Sequence, residues 1–351
     1  MSARLTTSAL PPDLGRKSRR ASLLSAQTRR MHRTLHLVYS FTCNLSCGHC
    51  IFRCRPCEGL TMGIARAKRY IDKAGQVGIR RIVFTGGEPF LYHQEIRILI
   101  QYAAQRGMET AVITNAAWAS SRNQVRQYLS DLQQRGLESI TLSTDRYHLI
   151  DVPLENLKNV LAVAEEIGLR AGVKIARLPH DPVAQRLYLS LRNHSSRIRL
   201  QEILPVGRAS HLRPGLPLKT SSGFLRSGCS TPPVLLPDGH LMTCCNLPAR
   251  DMRHHDYPFI LGNAEMEPLP FLLRKRFGDP ILSLLREKGP SLLLALAAES
   301  EPGFESLRQA LYHSGCDLCF QVFCKLPDKS SLYAALREGT DKQNANCGVP
   351  S

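Results

Sequence analysis

Residues 35–50 read LHLVYSFTCNLSCGHC, and residues 81–90 read RIVFTGGEPF. Each stretch opens on a run of branched apolar residues, the pattern of a buried strand. Each then breaks into small, polar or sulfur-bearing residues. The first break carries Cys43, Cys47 and Cys50 in a CxxxCxxC spacing, and the second carries Gly86, Gly87, Glu88 and Pro89. The same rhythm continues along the chain. Strands are expected at residues 35–40, 81–85, 110–114, 139–143, 171–176 and 198–203. Helices are expected at residues 62–76, 92–106, 124–135, 154–167 and 183–192. Strands alternating with helices of about three turns indicate a parallel α/β unit. Six strands are fewer than a closed barrel needs, which leaves an open, partial barrel or a doubly wound sheet. In both, the loops at the C-terminal ends of the strands share one face. That rule gathers the cysteine loop, the Gly-Gly-Glu-Pro turn, Asn115, Asp145, Arg177 and residues 205–208.

Composition bounds the rest. The chain has 351 residues, 43% hydrophobic and 21% charged, with a net charge of +17. That is globular, and it excludes a collagen, a coiled coil or a mostly disordered chain. The longest apolar run, residues 292–298, is too short for a membrane span of about 20 residues. Residues 1–33 hold eight basic residues against Asp13 alone. This basic, serine- and proline-rich stretch reads as a disordered tail with no secretory h-region. It lacks the aromatic interleaving of a nucleic-acid binder, so no nucleic-acid partner is expected. Twelve cysteines in a chain expected in the cytoplasm read as metal ligands or redox groups, not as a disulfide framework.

The cysteines fall into two clusters. Cys43, Cys47, Cys50, Cys54 and Cys57 form the first, and the remaining seven begin at Cys229. Three thiolates can hold three irons of a [4Fe–4S] cluster and leave the fourth iron open to a substrate. Cys47, Cys50, Cys54 and Cys57 also read as two CxxC pairs, which would suit tetrahedral zinc. Gly86 and Gly87 favour the first reading, because they let backbone approach a ligand closely. Glu88 then offers a carboxylate suited to an ammonium group.

Cys43-Asn-Leu-Ser-Cys47-Gly-His-Cys50 followed by Thr85-Gly-Gly-Glu-Pro-Phe90 resembles the radical S-adenosylmethionine (SAM) superfamily. The resemblance covers residues 34–208 and implies a partial (β/α)6 barrel like an opened TIM barrel. It implies that Cys43, Cys47 and Cys50 bind a [4Fe–4S] cluster and that SAM chelates the open iron. Gly86, Gly87, Glu88 and Pro89 would contact the SAM amino group. Asn115 and Ser143 sit at strand ends where the family contacts the SAM ribose or carboxylate. Residues 205–209, PVGRA, would lie near the adenine. Asp145, Tyr147 and His148 follow the fourth strand and are the candidate catalytic residues.

The last third resembles the SPASM and Twitch auxiliary domains. Cys229 and Cys244 flank Gly239 in a Cx9Gx4C element, and an Asp238-Gly239 turn between apolar arms predicts a hairpin. Cys316 and Cys319 form a CxxC. The resemblance implies an auxiliary [4Fe–4S] cluster on Cys229, Cys244, Cys316 and Cys319, within a C-terminal domain of residues 209–351 that carries a helical cap. The spacing to Cys324 departs from the SPASM pattern, and Cys245, Cys324 and Cys347 make an incomplete second set.

The expected function is therefore a radical SAM oxidoreductase acting on a peptide or protein side chain, served by a low-potential donor of flavodoxin or ferredoxin type. A radical SAM dehydrogenase or epimerase acting on a small molecule is the alternative. A non-enzymatic zinc or iron–sulfur module is the third reading, and it leaves the Gly-Gly-Glu-Pro turn without a reason.

Overall fold

The structure is a computed structural model that describes residues 33–195, 197–224, 229, 232–244, 259–300 and 304–325. The basic tail up to residue 32, Cys245, Cys347 and the side chain of Cys324 lie outside the described residues.

Six parallel strands follow one another in order: β1 (Thr34–Val38), β2 (Arg81–Thr85), β3 (Glu109–Thr114), β4 (Leu137–Thr144), β5 (Arg170–Arg177) and β6 (Ile198–Glu202). Each is hydrogen-bonded to the next. The order never reverses, whereas a doubly wound sheet must reverse at its switch point. A series of right-handed crossovers in one direction puts every helix on one side. The result is the open partial barrel, not the doubly wound sheet.

The crossover helices are α1 (Ile64–Gln76), α2 (His93–Ala104), α3 (Arg122–Gln134), α4 (Leu154–Glu166) and α5 (Pro182–Leu191). Their buried residues recur at helical spacing. In α1 these are Ala67, Tyr70, Ile71 and Ala74, and in α2 Ile96, Leu99, Ile100 and Ala103. Steps of three and four residues place such side chains on one stripe against the sheet.

The predicted hairpin is present as β8 (Val234–Leu235) and β9 (His240–Met242). Gly239 has φ of 90°, the left-handed backbone its turn requires. The hairpin does not stand apart from the barrel. Strand β8 pairs in parallel with β1, aligning His36 with Val234 and Leu37 with Leu235. With β10 (Ile260–Asn263) it extends the barrel to one nine-stranded sheet, β10-β9-β8-β1-β2-β3-β4-β5-β6. Strands β7 (Lys219–Thr220) and β11 (Leu311–Tyr312) form a separate antiparallel pair. The expected helical cap is α6 (Leu269–Gly278), α7 (Pro280–Lys288), α8 (Pro290–Ser300) and α9 (Glu305–Gln309), followed by α10 (Gly315–Lys325). Helix α6 packs against α1.

Candidate active site

The loop after β1 is shaped by its neighbours. The Gly87 N–H donates to the Ser40 carbonyl at 2.8 Å, and the Glu88 N–H donates to the Thr42 carbonyl at 3.0 Å. A Cβ on Gly87 would lie 1.9 Å from the Thr42 carbonyl oxygen, and one on Gly86 would lie 2.4 Å from that of Ser40. The two glycines therefore let the turn after β2 press directly on the cysteine loop. The sequence reading assigned their freedom to a ligand, but the first demand comes from the chain itself. Gly207 does the same from the loop after β6, where a Cβ would meet the Ile51 and Cys50 carbonyl oxygens.

These loops enclose a cavity of about 240 Å3, lined by Cys43, Cys47, Cys50, Gly86, Gly87, Asn115, Ser143, Asp145 and His148 among others. Nine of the predicted site residues thus meet at the C-terminal ends of four strands, β1 to β4. The sulfurs receive fixed donors. Leu45 N–H lies 3.4 Å from Cys43 Sγ, and Cys54 N–H lies 3.3 Å from Cys50 Sγ. Backbone donors of this kind orient thiolate ligands and tune the metal they hold. Burial pushes the Cys43 and Cys47 thiols up to about 12. Hydrogen bonding from Cys54 holds the Cys50 thiol well below its usual range.

Three predicted residues are placed differently from the expectation. Glu88 does not line the cavity. Its carboxylate is buried beneath the wall, accepting from Phe90 N–H, the Thr114 hydroxyl and Asn115 N–H at 3.0, 2.8 and 2.8 Å. Burial raises its pKa from 4.5 to about 6. Pro89 is also buried, at the start of a short 3-10 turn. Tyr147 stands behind the cavity wall, stacked on His49 with ring centroids 5.0 Å apart. Asn115 lines the cavity, but its amide also braces the cysteine loop through Asn44 Oδ1 at 2.9 Å. Arg177 points to a different surface groove.

Asp145 is the polar hub. Its Oδ2 accepts from His148 Nδ1 at 2.8 Å and lies 3.1 Å from His49 Nε2. Its Oδ1 accepts the N–H groups of Tyr147 and His148. Burial pushes this carboxyl up, but the hydrogen bonds from His148 and His49 outweigh it and hold it well below the usual carboxylate range. A carboxylate on Nδ1 leaves the other ring nitrogen of His148 as the group that can take or give a proton.

Arg208, within the 205–209 stretch expected near the adenine, and His49, within the cysteine motif, also line the cavity, as do His36 and Lys174, which sequence reasoning did not select. His36 and Lys174 are polar residues inside otherwise apolar strands, and that interruption was the available signal. Arg208 donates to the Cys54 carbonyl oxygen.

The donor set fits an iron–sulfur cluster better than zinc. A tetrahedral zinc site with Zn–S near 2.3 Å holds its sulfurs about 3.8 Å apart. Among the described residues, the set of three His, Cys, Asp or Glu ligand atoms within 4.8 Å of one another is His49, Asp145 and His148. The cysteine sulfurs form no such set. Cys54 is buried at the cavity wall, whereas Cys57 is exposed and does not line it.

The second cysteine set also converges. Cys229 is strapped to α7, its N–H donating to the Leu285 carbonyl at 2.9 Å. Cys244 follows β9, and Cys316 and Cys319 lie on α10. Burial raises the Cys319 thiol well above its ordinary value, with Cys316, Cys229 and Cys244 adding to the rise. Cys316, Cys229 and Cys244 therefore each lie within electrostatic reach of Cys319. Among the described residues, no helix is long and apolar enough to cross a membrane.

Comparison with known proteins agrees with this geometry. Residues 37–169 match the model of the Radical SAM superfamily. YydG of Bacillus subtilis (strain 168), whose name provisionally links it to peptide biosynthesis, is 28% identical over 131 residues. That stretch is 37% of this chain and 41% of YydG, so the match spans less than half of that relative. A GTP 3′,8-cyclase of Tolumonas auensis is 25% identical over 270 residues, covering 72% of this chain and 75% of the relative. A solved structure of native anSMEcpe with bound AdoMet and Cp18Cys peptide covers 90% of this chain and 98% of that one. Its identity is 13% and its TM-score 0.51, a likeness of fold. The cysteine loop after β1 and the glycine turn after β2 both fall within residues 37–169, the stretch that is similar to the Radical SAM superfamily.

Proposed function

We propose that this protein is a radical SAM oxidoreductase that abstracts hydrogen from a peptide or protein side chain. The observation that carries the reading is the shared cavity of Cys43, Cys47, Cys50, Gly86 and Gly87. When bound there, a [4Fe–4S] cluster and SAM supply reductive cleavage of the SAM C–S bond, giving methionine and a 5′-deoxyadenosyl radical.

The chain's own residues do the rest. Cys43, Cys47 and Cys50 hold the cluster, and Leu45 and Cys54 orient two of their sulfurs. The backbone of Gly86 and Gly87 forms one wall for the SAM amino end. Glu88 sets the charge beneath that wall, with Pro89 fixing the turn. Asn115 and Ser143 stand where they can bond the ribose or carboxylate. Arg208 and its loop close the cavity over Cys50. His148, oriented by Asp145, exchanges a proton with the substrate, while Tyr147 backs His49. Closed walls exclude water from a reactive site.

Cys229, Cys244, Cys316 and Cys319 hold an auxiliary [4Fe–4S] cluster in the proposed C-terminal domain, residues 209–351. A low-potential flavodoxin- or ferredoxin-type protein delivers the electron. A cytoplasmic location would keep the cysteines reduced and available as ligands.

The peptide substrate rests on the name of YydG and on the peptide-bound likeness of fold. A small-molecule substrate is the second reading, favoured by the longer match to a GTP 3′,8-cyclase. The test is anaerobic reconstitution of the full chain, followed by dithionite and SAM. 5′-Deoxyadenosine should form, and Cys47→Ala should abolish it. About eight irons per chain are expected, falling by half in the Cys43/Cys47/Cys50 triple Ala variant. Zinc in place of iron, or deoxyadenosine formation indifferent to Cys47→Ala, would overturn the reading. Deoxyadenosine stimulated by GTP and not by a peptide library would select the small-molecule alternative.

A further inference from the structure

Two arginines of the helical cap stand beside the second cysteine set. Arg276, near the end of α6, is 5% exposed. Its Nε donates to the Thr243 carbonyl at 3.2 Å, next to Cys244 in the chain. Arg286, on α7, is half-buried and donates to the Arg276 and Phe277 carbonyls at 3.1 and 3.3 Å. Its chain neighbour Leu285 accepts the Cys229 N–H. The Arg276 guanidinium is thus tied to backbone adjoining Cys244, and Arg286 directly follows in the chain the residue that holds the Cys229 N–H.

Burial lowers the Arg276 pKa to about 10, and Arg286 lowers it further, while Cys244 and Cys229 act in the opposite sense. Arg276 therefore stays charged at neutral pH. Burial lowers the Arg286 pKa as well, while Glu287, Asp279 and Cys229 favour its charged form. Like charges brought together in a protein interior repel, and negative charge beside them offsets that cost. Four thiolates around an iron–sulfur core would supply such charge, and the assembly becomes more anionic when it is reduced. Net charge around such a cluster is one of the determinants of its potential.

We propose that Arg276 and Arg286 are fixed counter-charges of the C-terminal cysteine centre, favouring its one-electron-reduced state. This rests on the reading that Cys229, Cys244, Cys316 and Cys319 hold a cluster. Both arginines are positioning residues: they act on the centre through space and ligate nothing.

The experiment is a potentiometric titration followed by electron paramagnetic resonance. It uses the full chain in the Cys43/Cys47/Cys50 triple Ala background, so that only the second centre is read. Wild-type arginines should give about four irons and a reducible cluster signal. Arg276→Met should keep the iron while its signal appears only at lower potential, and Arg276→Lys should recover most of the shift. Arg286→Met should move the potential in the same direction by less, since Arg286 is half-buried. If Arg276→Met sheds its iron, the sign of the Arg286→Met shift decides. An unchanged potential with full iron would overturn the proposal, as would Arg276→Lys behaving like Arg276→Met. Absence of iron from the parent triple variant would instead remove the auxiliary cluster itself, a separate failure.

Discussion

Glu88 shows how far one residue's role depends on what surrounds it. Its place after two glycines marked it as functional, and its charge suggested an open carboxylate. In the structure the carboxylate is 3% exposed and takes three donors from its own loop and from β3. Its folded pKa is raised, from 4.5 to about 6, chiefly by burial. A raised carboxyl pKa contributes stability that is full below pH 4.5 and is lost as the pH rises through 6. The loss amounts to about 2 kcal/mol. The stability advantage of Glu88→Gln over the wild type, measured by urea unfolding of the ligand-free chain, should therefore grow by about that amount between pH 4 and pH 7. A constant difference would mean that Glu88 is better solvated than its burial indicates. Asp145 contrasts with it. It is equally enclosed, yet two histidines hold it ionised, and neither partnership was visible in the spacing of His49, Asp145 and His148.

At the scale of elements, most of the barrel was legible. Strand β2, the ends of α1 and β3 and the starts of α4 and β6 fall where the apolar pattern placed them, and the other boundaries move by one or two residues. The pattern works here because parallel strands are buried on both faces and their helices on one stripe. Caps explain some of the shifts. The expected helix at 183–192 begins at Pro182, because Asp181 accepts the Val183 and Ala184 N–H groups at 3.0 and 3.3 Å. Asp181 also accepts from Arg146 at 2.8 Å. Asp181→Ala should lower the unfolding free energy by about 1–2 kcal/mol, read from the urea midpoint at constant slope. Asp181→Asn should recover most of it, since an amide oxygen caps nearly as well. The pairing of β8 with β1 was not legible. A hairpin announces its own turn, but not which distant edge it will join, since edge pairing is set by packing and not by local propensity.

For the whole molecule, the second cysteine set ties together three distant parts of the chain: Cys229 beside α7, Cys244 after β9, and α10. Metal binding to such a set is folding free energy, because the unfolded chain has no preformed site. Removing metal should therefore loosen the C-terminal helices selectively. Amide exchange in α10 should accelerate many-fold in the metal-free chain and slow again on anaerobic reconstitution, with β2 and β3 protected in both states. Equal protection of α10 in both states would show that packing of Leu318, Val322 and Phe323 suffices without metal. The sequence by itself determined the alternation of strand and helix, the clustering of cysteines and the placement of candidate residues at C-terminal strand ends. These are local matters of periodicity, backbone freedom and spacing, read within a few residues. Only the tertiary structure decided which side of the wall each side chain occupies, which edge the hairpin covers and which charges face the sulfurs. Those depend on contacts between residues tens to hundreds of positions apart, such as Arg208 with Cys54 and Tyr70 with Glu265, and no local pattern encodes them.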